Sequence, residues 1–122
     1  MTRTPLQEEW LTREAELHGL QTPAKLGQLG TLELWDRYRA LSEPQRREID
    51  SVLFDQLESP AQSARSLAAS ILFEFKVRDG LKPLQRLAER LEAIDSPSAH
   101  FEHLKMLRYI EAIQSNKPAE PA

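Results

Sequence analysis

Apolar residues recur at helical spacing along nearly the whole chain. Leu6, Trp10, Leu11 and Leu17 mark a first helix from Pro5 to about His18, with Gly19 as its stop. Gly27 and Gly30, three residues apart, predict a break, after which Leu32, Leu34, Trp35, Tyr38 and Leu41 resume a helical face. Ile49, Val52, Leu53 and Leu57 mark a helix from about Pro44 to Glu58, and Leu67, Ile71, Leu72 and Phe75 one from about Pro60 to Val77. Leu84, Leu87, Ala88, Leu91 and Ile94 predict a helix from about Leu81 to Ile94. Phe101, Leu104, Leu107, Tyr109 and Ile110 predict the last, from about Pro97 to Gln114. No window sustains strict alternation, so the expected fold is all-α, with five to seven helices. Trp35, Tyr38 and Phe75 fall on core positions. Phe54 and Phe73 lie off the main stripes of their helices, where an aromatic either widens the buried face or marks a contact surface.

Proline and hydroxyl residues punctuate this pattern. Thr22-Pro23-Ala24, Ser59-Pro60-Ala61 and Ser96-Pro97-Ser98 each place a hydroxyl before a proline at a helix start, and successive cues lie 37 residues apart. Such an interval suits a helical-repeat array with units starting near residues 22, 59 and 96. Ser42 and Gln45 have the spacing of a capping box, which starts a second helix inside the first unit, and Gly80 with Pro83 do the equivalent in the second. From Ser115 to Ala122 there are two prolines and no apolar period, which predicts a disordered tail after a single domain over residues 1–114.

The segment from Ser59 through Ala64-Arg65 and Ala68-Ala69 to Leu72 resembles the first helix of a HEAT-type repeat. Asp79-Gly80-Leu81-Lys82-Pro83-Leu84 and the leucines that follow are similar to its second helix. The resemblance covers Ser59 to Asp95, and the flanking units match weakly. It implies a short right-handed stack of antiparallel helix pairs, a HEAT-like α-solenoid, and a protein-binding surface. An irregular helical bundle is the alternative.

Composition narrows the chemistry. The 122 residues suit one domain, and the absence of cysteine removes disulfides, thiolate metal sites and cysteine nucleophiles. No segment approaches a membrane-spanning run and the first ten residues lack an apolar signal core, so a cytoplasmic location without membrane contact is expected. His100 and His103 share a helical spacing but supply two ligands where a metal site needs three or four, so neither metal nor cofactor is expected. No serine sits in a nucleophile elbow, and Gly27-Gln28-Leu29-Gly30 has neither the lysine nor the strand of a phosphate loop. Glu8, Glu9, Glu14 and Glu16 complement a helix N-terminus. The chain is expected not to be an enzyme.

Charge placement carries the functional expectation. The net charge is -3, with eleven acidic and seven basic residues up to Glu58 and eight acidic and nine basic from Ser59 onward. Glu48, Asp55 and Glu58, with Glu43 beside them, predict an acidic ridge that would bind a protein partner by electrostatic steering. Its sharpest form is a small bacterial immunity or inhibitor protein that blocks a toxin or effector enzyme. An adaptor subunit docking through Phe54 or Phe73 is the second reading. The third is a nucleic-acid accessory binder using Lys82, Arg86 and Arg90, which three cations without interleaved aromatics disfavour.

Overall fold

The computed structural model describes residues 3–19 and 24–115. Six α-helices follow one another among these residues, with no strand: α1 (Pro5–Gly19), α2 (Ala24–Ala40), α3 (Glu43–Gln56), α4 (Gln62–Glu74), α5 (Leu81–Glu92) and α6 (Pro97–Gln114). A 3₁₀ turn, Arg78–Gly80, leads into α5. No helix of the described residues is long and apolar enough to cross a membrane. The Thr22-Pro23 cue, the side chain of His18 and the tail from Asn116 onward lie outside the described residues.

Helix starts follow the capping chemistry in part. Ser42 Oγ accepts from the Gln45 N–H (3.4 Å), and the Ser42 N–H donates to Gln45 Oε1 (2.9 Å), which completes the predicted box. Ser96 caps α6 through the Ala99 N–H (3.1 Å), with Pro97 in the first turn. Ser59 does not cap α4: its hydroxyl accepts from the Ala61 N–H instead, and Ala61 itself is the N-cap residue. A further box at α1 joins Thr4 and Gln7 reciprocally (2.9 and 3.2 Å). The break expected at Gly27 and Gly30 is absent, and α2 runs through both. Each glycine costs about 1 kcal/mol relative to alanine. The second half of the helix offsets this by burying Leu34 and Tyr38, and Arg46 bonds the Tyr38 and Arg39 carbonyls at the helix end (3.2 and 2.9 Å).

The chain divides into two compact units, one ending at Val52 and the other starting at Leu53. In the first, α1 packs on α2, and Gln7 Nε2 donates to the Glu48 carbonyl of α3 (2.8 Å). Its core is Trp10, Leu34, Tyr38, Ile49 and Val52, with Glu14 and Asp50 also buried. In the second, α6 packs on both α5 and α4. Leu53, Leu57, Ala68, Ala69, Ile71, Leu72, Leu84, Leu87, Leu91, Met106 and Ile113 are buried there. Full burial of each large member stabilises the unit by about 1.5–3 kcal/mol. Gly80 allows this packing: a Cβ there would lie 3.2 Å from Leu72 Cδ1.

Several expected core positions are corrected. Trp35 and Phe75 are half-buried, and Leu32 and Ile94 are exposed. The largest correction is α6, which buries Ala99, Glu102, Met106, Ile110 and Ile113 and turns Phe101, Leu104 and Leu107 outward. Two apolar stripes share this helix, and the one that faces inward carries Glu102, which Arg65 of α4 pairs with.

α4 ends at Glu74, short of the Val77 expected from its pattern. The Val77 N–H bonds the Leu72 carbonyl (2.9 Å) and the Lys76 N–H bonds that of Phe73 (3.2 Å), a Schellman closure with Val77 packed back into the core. Lys76 occupies the left-handed position of this motif, at φ 50°, where glycine is the usual residue.

Candidate functional site

Half of the predicted acidic ridge, Glu43 and Glu58, is paired within the chain. Glu43 is exposed at the start of α3 and pairs with Arg47 (3.0 Å) and Arg46 (3.9 Å). Glu48 is half-buried. Asp55 is exposed, and Glu58 lies beyond the end of α3, in the turn before α4. Glu58 meets a member of the predicted basic ridge, Arg90, at 3.0 Å. The same guanidinium donates to the Leu57 carbonyl (2.7 Å), so Arg90 staples the α3–α4 turn. Lys82 and Arg86 remain exposed on α5, Lys82 beside a shallow depression that it lines with Arg78, Asp79, Leu81 and Gln85.

Arg90 and Glu58 also line a cleft of about 230 Å³ with Ser59, Pro60, Arg65, Leu87, Leu91 and Ile94. Its second guanidinium is committed as well. Arg65 Nε and Nη2 grip the buried Glu102 carboxylate (2.7 and 2.9 Å), and Nη1 donates to the Ser59 carbonyl (2.9 Å). The Glu102 hydrogen bonds hold the Arg65 pKa above its ordinary value. With both arginines spent on carboxylates and carbonyls, the cleft holds the α3–α4 turn in place rather than presenting a ready anion site.

The open surface lies on α6. Phe101, Leu104 and Leu107 are 71%, 40% and 44% exposed, and Ile94, just before the helix, is 53% exposed. Successive spacings of three residues keep the α6 trio on one side of the helix, opposite Met106, Ile110 and Ile113. Beside them Phe73, one of the two aromatics singled out in the sequence, stacks on Tyr109, with ring centroids 4.5 Å apart and planes 18° from parallel. Lys76 Nζ stands 4.3 Å from the Phe73 centroid, and Lys105 Nζ 5.8 Å from that of Tyr109. Phe54, the other aromatic, is half-buried on α3. Phe101, Leu104, Leu107, Lys105 and Arg108 were not sequence candidates for a surface. The available signal was that α6 carries more apolar positions than one buried face can use.

The histidines stand apart in chemistry. His100 is exposed, whereas His103 is half-buried with Nδ1 2.9 Å from the Ala88 carbonyl, which can only accept and so fixes the proton on Nδ1. No group of three or more potential metal-ligating side chains occurs among the described residues.

A strongly lowered carboxylate pKa lies in the first unit. Arg13 hydrogen-bonds Glu33 in a two-pronged grip (Nη2–Oε1 2.6 Å), and this, against partial desolvation and with help from Arg37, lowers the Glu33 pKa to about 2. Burial, then the 2.7 Å hydrogen bond to Asp50, raises the Tyr38 phenol well above its ordinary value. Both are features of an internal framework, Tyr38 being buried and Glu33 held on two sides.

No family model, no curated protein and no solved structure matches the chain.

Proposed function

We propose that this chain is a non-enzymatic protein-binding module that docks its partner on the outward face of α6. The observation that carries the reading is the exposed row of Phe101, Leu104 and Leu107 on a helix whose opposite face is already filled. Contiguous large apolar side chains on a surface are the usual mark of a contact site. The α4–α5 pair followed by α6 reads as one and a half HEAT-like units, and α6 then lies at the open end of the stack. Supporting that arrangement, Arg65 and Glu102 pair across 37 residues, the interval between Ser59 and Ser96.

An adaptor subunit of a larger assembly suits this face better than an inhibitor acting through the acidic ridge. Two of the four ridge carboxylates, Glu43 and Glu58, are held by arginines of the same chain. Velocity sedimentation of the tagged chain in an extract of its own cell provides the test. The wild type should travel in a complex, and Phe101→Ser/Leu104→Ser/Leu107→Ser should travel as a free 14.0 kDa chain with unchanged helicity. Loss of the complex with Glu48→Gln/Asp55→Asn, but not with the serine variant, would return the contact to the acidic ridge. Loss only with Lys82→Glu/Arg86→Glu would move it to the basic one.

A further inference from the structure

We infer that the occupant of the α6 face is an acidic amphipathic helix of another protein, an inference that rests on the α6 docking reading and adds the chemistry of its partner. The charges beside the apolar row give the argument. In the first unit Arg13, Arg37, Arg39, Arg46 and Arg47 each have a carboxylate in ion-pair range. Around the α6 face, Lys76, Lys105 and Arg108 have none among the described residues. Lys105 and Arg108 are exposed on α6, flanking Phe101 on the helix surface, and Lys105 and Lys76 extend that flank over the Tyr109–Phe73 stack. Glu111, the exposed carboxylate of the same helix, continues the Lys105–Arg108 ridge at its C-terminal end, one turn past Leu107, so the basic part of the flank lies beside Phe101 and Leu104.

Phe101, Leu104 and Leu107 span about 9 Å along the axis, a length that one ridge of a second helix covers. An acidic flank on that helix would meet Lys105, Arg108 and Lys76. A bilayer is the poorer occupant, because an interfacial helix is flanked by cations on both sides, whereas here they stand on one. Lys76 adds a separate indication. It holds a left-handed backbone position that favours glycine, yet its ammonium stands over Phe73 at the edge of this surface. A contact of this ammonium with an acidic partner would offset the backbone cost that glycine would avoid.

The probes are two synthetic amphipathic helices of roughly 18 residues with one leucine stripe, glutamate filling the remaining positions of one and lysine those of the other. Vesicles of phosphatidylcholine and phosphatidylserine form the third arm. Binding to the full chain should favour the glutamate helix by about tenfold or more at low salt, and the preference should shrink as salt rises. Lys105→Glu/Arg108→Glu should reverse it, Phe101→Ser should weaken both helices, and Lys76→Gly should weaken the glutamate helix without lowering the melting temperature. Equal affinity for the two helices, with both still dependent on Phe101, would overturn the acidic partner and leave the docking face standing. Binding that ignores Phe101 would overturn both. Tighter association with the vesicles, or a dimer that Phe101→Ser dissolves, would replace the occupant by a membrane or a second copy.

Discussion

In the first unit Arg13, Arg37, Arg39, Arg46 and Arg47 sit against carboxylates, and Arg46 also closes the end of α2. In the second, Arg65 and Arg90 are spent the same way, while Lys76, Lys82, Arg86, Lys105 and Arg108 have no such partner among the described residues. Among the residues whose side chains are described, Leu32 is the exposed large hydrophobic of the first unit, against Ile94, Phe101, Leu104 and Leu107 in the second. Arg3 is the described arginine of the first unit without a carboxylate in range, so that unit keeps fewer open cations for a partner than the second. The second unit, with open cations beside open apolar side chains, is where binding free energy remains to be gained.

The contrast can be broken most sharply at the buried Arg65–Glu102 ion pair of the second unit. Glu102→Ala should destabilise the protein by about 3–5 kcal/mol, because it strands Arg65 in a nearly closed site. Arg65→Met/Glu102→Leu should recover most of that loss in urea unfolding. Tyr38→Phe should cost about 1–3 kcal/mol, since it leaves the buried Asp50 short of a hydrogen bond.

Lys76→Gly should move the other way and stabilise by about 1 kcal/mol, read as a higher melting temperature. Asp36→Ala, which removes an exposed pair with Arg39, should change stability by less than about 0.5 kcal/mol.

Acid adds a test specific to the first unit. The Glu33 carboxyl is held at about 2 in the folded chain against 4.5 as its ordinary value, so its contribution is complete above about pH 4.5 and disappears as the pH falls toward 2. Both tryptophans lie in this unit, so their fluorescence in urea at about pH 5 and pH 2.5 reports it directly. Glu33→Gln should flatten the difference between the two midpoints.

Much of the helical order was legible because it rests on local chemistry. Periodicity and capping placed α1, α3 and α6, and the Ser42–Gln45 spacing alone marked the start of α3. The same spacing at Thr4 and Gln7 marks the start of α1 in the same way. What spacing could not supply was the choice between the two apolar stripes of α6. That choice puts Met106, Ile110 and Ile113 inside, sets Glu102 against Arg65, 37 residues away in sequence, and leaves Phe101 outward, a tertiary arrangement that spacing alone does not encode. For the same reason the acidic ridge read as open in the sequence: Glu58 and Arg90 are 32 residues apart, and only the fold brings them together.

The most direct test of the account places a photo-crosslinking benzophenone at position 104 on α6 and, separately, at exposed position 36 on α2, each in the chain's own cell. A discrete protein adduct from position 104, lost with Phe101→Ser and absent from position 36, is the predicted result. An adduct from position 36 with none from 104 would place the contact on the first unit and contradict the account.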